Sequence, residues 1–169
     1  MDARWHLSHA RGYLELDMLP EAAAELEALP KDRAMSADAL SLRITLYQKR
    51  CQWRELTSAS AALARQRPED AGAWIIWAYA TRRAQSLEDA ERILDEAKSL
   101  HPKEATIAFN LGCYHCQRGD FDGAARLVAE AIALDSRFQE LASTDPDLAP
   151  LRQAGLITGH HSAPSRRGD

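Results

Sequence analysis

Large apolar residues recur along this chain at a fixed interval. Leu19, Trp53, Leu87 and Phe121 stand 34 residues apart. Three, seven and ten residues after each of them come further repeating sets: Ala22, Leu56, Ala90 and Ala124, then Leu26, Ser60, Leu94 and Val128, then Leu29, Leu63, Ala97 and Ala131. Spacings of three and four put these positions on one stripe of an amphipathic helix. The small residues in the stripe let two helix axes approach closely, and the large ones fill the groove between them.

Upstream of each such helix the pattern predicts another. Trp74, Trp77 and Ala78 flank a dense Ile75-Ile76 pair, and Ile107, Ala108, Leu111 and Gly112 repeat the motif further on. Polar turn signals separate the two helices. In Arg118-Gly119-Asp120-Phe121, Gly119 can adopt the left-handed conformation that ends a helix and Asp120 can cap the next. Ser86 and Asp89 have capping-box spacing at the matching point, while Pro68 and Pro102 stop the second helices. Counted from Ala3, Ala37, Ala71 and Ala105, the chain predicts four helix–turn–helix units.

A 34-residue period of helix–turn–helix units resembles the tetratricopeptide repeat family. The last unit carries the resemblance best, through Leu111-Gly112, Gly119-Asp120-Phe121, Ala124, Val128 and Ala131; the third follows through Trp74, Ala78, Ala90, Leu94, Ala97 and Pro102. The first two are degenerate. His9 and Arg43 stand where the family has Leu, and Pro30 shortens the first unit's second helix. The resemblance implies an all-α, right-handed solenoid of about four units. Phe138, Leu141, Leu148 and Leu151 are expected to cover its C-terminal end, as solenoids require. The domain is expected to span residues 1–155, and the polar segment 156–169 to be disordered.

Composition narrows the function. A hydrophobic content of 46% with 27% charged residues is that of a folded, soluble chain. A net charge of −4 offers no bulk attraction to nucleic acid or to an acidic membrane. The N-terminus lacks the apolar core of a signal peptide, and the longest apolar run, Ala73 to Ala80, is too short to span a bilayer. Three cysteines make no disulfide framework, so a cytoplasmic location is expected.

In the family the first helix of each unit lines a concave, ligand-binding face. The resemblance therefore implies peptide contacts from Arg4, Arg11, Leu42, Lys49, Ile75, Tyr79, Arg82, Arg83, Phe109, Asn110 and Cys113. That surface is net positive although the chain is acidic, and Leu42, Ile75, Tyr79 and Phe109 give it apolar area. It suits a peptide with acidic residues and an apolar anchor. Against this, Arg82 and Arg83 also fall near a helix C-terminus, where the helix dipole favours any cation. Of the residues with which some family members clamp a terminal carboxylate, Asn110 alone has a counterpart, so that ligand is not expected.

Cys113-Tyr114-His115-Cys116 is the one cluster with chemical potential. A structural zinc site needs four ligands, and no second pair with suitable spacing exists. The cysteines read as small groove residues and His115 as a core filler. The chain has no phosphate loop, nucleophile elbow or His-Glu-x-x-His motif, so neither catalysis nor a cofactor is expected. The reading is a scaffold or adaptor for an unknown protein or peptide. Self-association is a further expectation, through an apolar N-terminal edge at Trp5, Leu7 and Tyr13. The alternatives are a chaperone of the type III secretion kind and a thiol or metal sensor built on Cys113, His115 and Cys116.

Overall fold

A computed structural model of the protein describes residues 2–157, and the last twelve residues of the expected tail, 158–169, lie outside them. All regular structure among the described residues is helical. The first six helices are α1 (Ala3–Glu15), α2 (Leu19–Glu27), α3 (Ala37–Lys49), α4 (Trp53–Gln66), α5 (Ala71–Ala84) and α6 (Leu87–Leu100). They are followed by α7 (Ala105–Gln117), α8 (Phe121–Leu134), the short α9 (Phe138–Thr144), a 3-10 turn (Pro146–Leu148) and α10 (Ala149–Gln153). The 34-residue frame is exact at the helix starts. Ala3, Ala37, Ala71 and Ala105 open the odd helices, and Leu19, Trp53, Leu87 and Phe121 the even ones up to α8.

Local chemistry explains these boundaries. The Ser36 hydroxyl accepts from the Ala39 N–H, Asp70 from Ala73, Ser86 from Asp89 and Asp120 from Gly123, each satisfying a donor that the first helical turn leaves unpaired. The turns repeat as well. Asp17, Cys51 and Gly119 stand at equivalent places in the frame and all hold a positive φ, of 59°, 53° and 84°. Gln85 occupies the third unit's equivalent place with φ −133°. Pro30 acts as expected, since α2 ends at Glu27, well short of its counterparts.

The described residues form two compact units, divided between His101 and Pro102. In the first, α1 packs on α2 and α3, α3 on α4, α4 on α5, and α5 on α6. Leu26, Leu40, Leu56 and Leu94 are fully buried between them. The polar intrusions of the degenerate repeats are accommodated: Arg43 donates through Nη2 to the Leu26 carbonyl at 2.9 Å, and His9 Nδ1 lies 2.8 Å from the Trp5 carbonyl. The Pro68 carbonyl, beyond the end of α4, accepts from Trp74 Nε1 at 3.2 Å and from His101 Nε2 at 2.8 Å. One helix-terminating proline thus ties the end of α4 to α5 and to the residue that closes α6.

In the second unit α7 and α8 form a tight pair. A Cβ on Gly112 would lie 2.8 Å from Val128 Cγ2, so only glycine permits this approach. The chain after α8 then returns, with the 3-10 turn packed on α7 and α10 on α8. Leu148 and Leu151 are buried as expected of a cap. Leu141 instead is 48% exposed, and the neighbouring Ala142 takes the inward position. Arg152 Nη1 fastens this segment by donating to the carbonyls of Ala142 and Asp145, both at 2.8 Å.

Candidate binding surface

The residues expected to contact a peptide separate into exposed and covered sets. In the first unit Arg4 and Arg11 are exposed on α1, and Lys49 is exposed at the end of α3. Lys49 Nζ pairs with Asp17 at 2.7 Å, joining the α3 terminus to the turn after α1. Leu42 is only 7% exposed and belongs to the core formed with α1 and α2. On α5, Ile75 and Arg82 are half-buried, while Tyr79 and Arg83 are exposed.

Tyr79 and Arg83 are one helical turn apart and act together. The Arg83 guanidinium carbon lies 5.0 Å from the ring centroid of Trp53 and 5.8 Å from that of Tyr79. The two rings meet edge to face at 5.8 Å. Trp53 opens α4 and Arg83 sits near the end of α5, and antiparallel packing of these neighbouring helices brings the two ends together. By its place in the 34-residue frame Trp53 reads only as a packing anchor. The cue available was its place at the start of a helix, where the partner's basic last turn must lie alongside.

This cluster has a definite chemistry. Cation–π contacts with two rings orient the guanidinium without consuming its N–H donors. Arg83 forms no ion pair with a carboxylate among the described residues. It presents a planar, preoriented donor set beside an exposed aromatic edge, the arrangement that suits a carboxylate flanked by an apolar side chain.

In the second unit the register positions are covered. Phe109 is 5% exposed and packs on Phe138 with ring centroids 4.9 Å apart. Cys113 is likewise 5% exposed, and Asn110 is half-buried. The returning C-terminal segment thus lies over residues that the repeat register assigns to ligand. The frame cannot show this, because the covering segment is not part of the repeat.

The Cys-Tyr-His-Cys cluster does not converge. His115 Nδ1 points to Asp120 Oδ2 at 2.7 Å, at the α8 cap. Cys113 comes instead within 4.8 Å of carboxylate oxygens of Asp145 and Asp147, the three-residue grouping of metal-ligand type among the described residues. Burial pushes the Cys116 thiol up from its ordinary pKa, partly offset by a backbone hydrogen bond at Leu151. A thiol so placed stays protonated at neutral pH and is a poor nucleophile or ligand. None of Cys51, Cys113 and Cys116 is in a disulfide. No helix among the described residues is long and apolar enough to cross a membrane.

No protein-family profile matches the sequence, and no curated protein matches it. Solved structures do match its fold. The crystal structure of MamA is similar over 91% of this chain and 83% of that one, at 14% identity and a TM-score of 0.75. YrrB, a TPR protein with an unusual peptide-binding site, is similar over 91% and 78%, at 15% identity and a TM-score of 0.71. TTC0263, a thermophilic TPR protein of Thermus thermophilus, is similar over 91% and 83%, at 18% identity and a TM-score of 0.63. At such identities the likeness is one of fold, and that fold is the tetratricopeptide repeat.

Proposed function

We propose that this chain, which has the tetratricopeptide-repeat fold, acts as a non-catalytic adaptor that binds a partner polypeptide through the Tyr79–Arg83 face of α5. The observation that carries this reading is Arg83, held between Trp53 and Tyr79 with its donors uncommitted to any carboxylate among the described residues. Lys49, Ile75 and Arg82 extend the surface, and Arg4 and Arg11 add positive charge on α1. The ligand class is a peptide with acidic residues beside an aromatic or large aliphatic anchor. Charges steer it and fix its register, while the anchor supplies affinity. A preformed helical face lowers the ordering cost of binding. The peptide-binding site of YrrB, a protein of similar fold, supports this reading.

Phe109 and Cys113 are left out of the proposed surface because the protein's own C-terminal segment covers them. A sensor built on Cys113, His115 and Cys116 is the weaker reading, since His115 is engaged at the α8 cap and Cys116 is buried and protonated. A cytoplasmic adaptor fits the reduced cysteines. Selection of random peptides on the immobilised protein tests the ligand class. The expected winners combine Asp or Glu with an aromatic or aliphatic residue, and Arg83→Glu abolishes their enrichment. Winners without acidic residues, or winners retained equally by Arg83→Glu, would refute the assignment.

A further inference from the structure

A cleft of about 530 Å³ opens in the first unit where α4, α5 and α6 meet, a volume in the range of small-molecule sites. It lies away from the Tyr79–Arg83 surface: Trp77, which lines it, is two residues before Tyr79, a rotation of about 200° around α5. Ala61 of α4, Trp77 of α5 and Ile93 of α6 give it apolar wall.

Most polar groups of the lining are already engaged. The Thr57 and Ser58 hydroxyls donate to carbonyls of their own helix at 2.9 and 3.1 Å, and Arg92 pairs with Asp89. Two charges remain. Arg65 and Glu96 are exposed and both line the cleft, yet neither forms an ion pair among the described residues. The Arg65 guanidinium carbon lies 5.2 Å from the Trp77 ring centroid, a contact that leaves its N–H donors available. The 34-residue frame sets the two charges at similar heights on opposite walls. Glu96 of α6 stands one period after Ala62 of α4, and Arg65 is three residues beyond Ala62, about 4.5 Å of helix. A ligand with a single charge is attracted by one of these groups and repelled by the other. A zwitterion engages both, and an apolar side chain beside its two charges meets the wall of Ala61, Trp77 and Ile93.

We propose that this cleft binds a free α-amino acid with an apolar side chain, its carboxylate at Arg65 and its ammonium at Glu96. The bound molecule joins α4 to α6 across the Trp77 face of α5. This second site does not depend on the surface at Arg83, so either can fail without the other.

The test uses the full chain with L-phenylalanine and L-leucine, each beside two blocked forms. The N-acetyl derivative lacks the ammonium, and the amide lacks the carboxylate. NMR signals of the Ile93 methyl groups and the Trp77 indole N–H are followed during titration. Saturable shifts are expected with at least one amino acid, and blocking either end should weaken its binding about fivefold, the upper range for an ion pair at an exposed site. Glu96→Gln should remove the penalty for acetylation and keep that for amidation. Arg65→Gln should do the reverse, and Arg65→Lys should keep the wild-type pattern. Both positions are exposed, so the variants are expected to fold. No saturable shift with either amino acid, blocked forms that bind as tightly as the free ones, or penalties unmoved by the matching substitution would overturn the proposal.

Discussion

Cys51 holds φ at 53°, a left-handed conformation that glycine adopts freely and that costs other residues about 1 kcal/mol. Its side chain is exposed, so little packing offsets the strain. Cys51→Gly is therefore expected to raise the unfolding free energy by about 0.5–1 kcal/mol in urea titration; an unchanged or lower value would show that the turn is not strained. Asp17 shares the conformation but would gain less from the same change, because its carboxylate pairs with Lys49 at 2.7 Å. Gly112 gives the opposite sign. A methyl there meets Val128 Cγ2 at 2.8 Å and the Ala124 and Val128 backbone at 3.3 Å. Gly112→Ala should cost about 1–3 kcal/mol through overpacking, and a neutral result would mean that α7 and α8 separate easily. Gly119 was legible in the sequence as a turn because its residue type announces the conformation. Cys51 and Asp17 were not, since nothing in their chemistry marks a left-handed backbone and only the frame aligns them with Gly119.

Among the helices, caps set the starts and make part of the stability dependent on pH. Ser86→Ala removes the acceptor for the Asp89 N–H and should lower stability by about 1 kcal/mol, as read by urea titration. The carboxyl of Asp120 is held below its usual range by the hydrogen bond with His115 and then by the Gly123 N–H, and Asp89 by the Ser86 hydroxyl and then Arg92. A folded pKa lowered in this way stabilises the protein above the ordinary carboxylate value. That stabilisation disappears as pH falls through the lowered value. Asp120→Asn can still cap Gly123 but does not titrate, so its stability should fall less steeply than that of the wild type across this acid window. Equal slopes would show that Asp120 is not linked to folding. Helix starts were readable to the residue because each coincides with an apolar anchor, a capping side chain or both. The α9–α10 return was not. That segment is short, has no period to average over, and its inward residue, Ala142, gives a weaker signal than the exposed Leu141 beside it. The covering of Phe109 and Cys113 follows from that return, which lies outside the 34-residue frame and so leaves no mark in the repeat register.

At the scale of the molecule, a chain of net charge −4 carries exposed cations on the α5 face and on α1. Such a distribution steers an acidic partner to one surface and makes its association weaken as salt rises. The fold explains how the surface is built, because each helix pair places the start of one helix beside the end of the next and so sets Trp53 under Arg83. It does not by itself choose the ligand, and structures of this fold serve different partners. The most direct test is affinity capture from the source cell's lysate, with intact protein beside a Tyr79→Ala, Arg82→Glu, Arg83→Glu variant of unchanged helicity. A protein retained by the wild type and lost with the variant is the predicted result. Identical capture by both would contradict the account and place the binding surface elsewhere on the molecule.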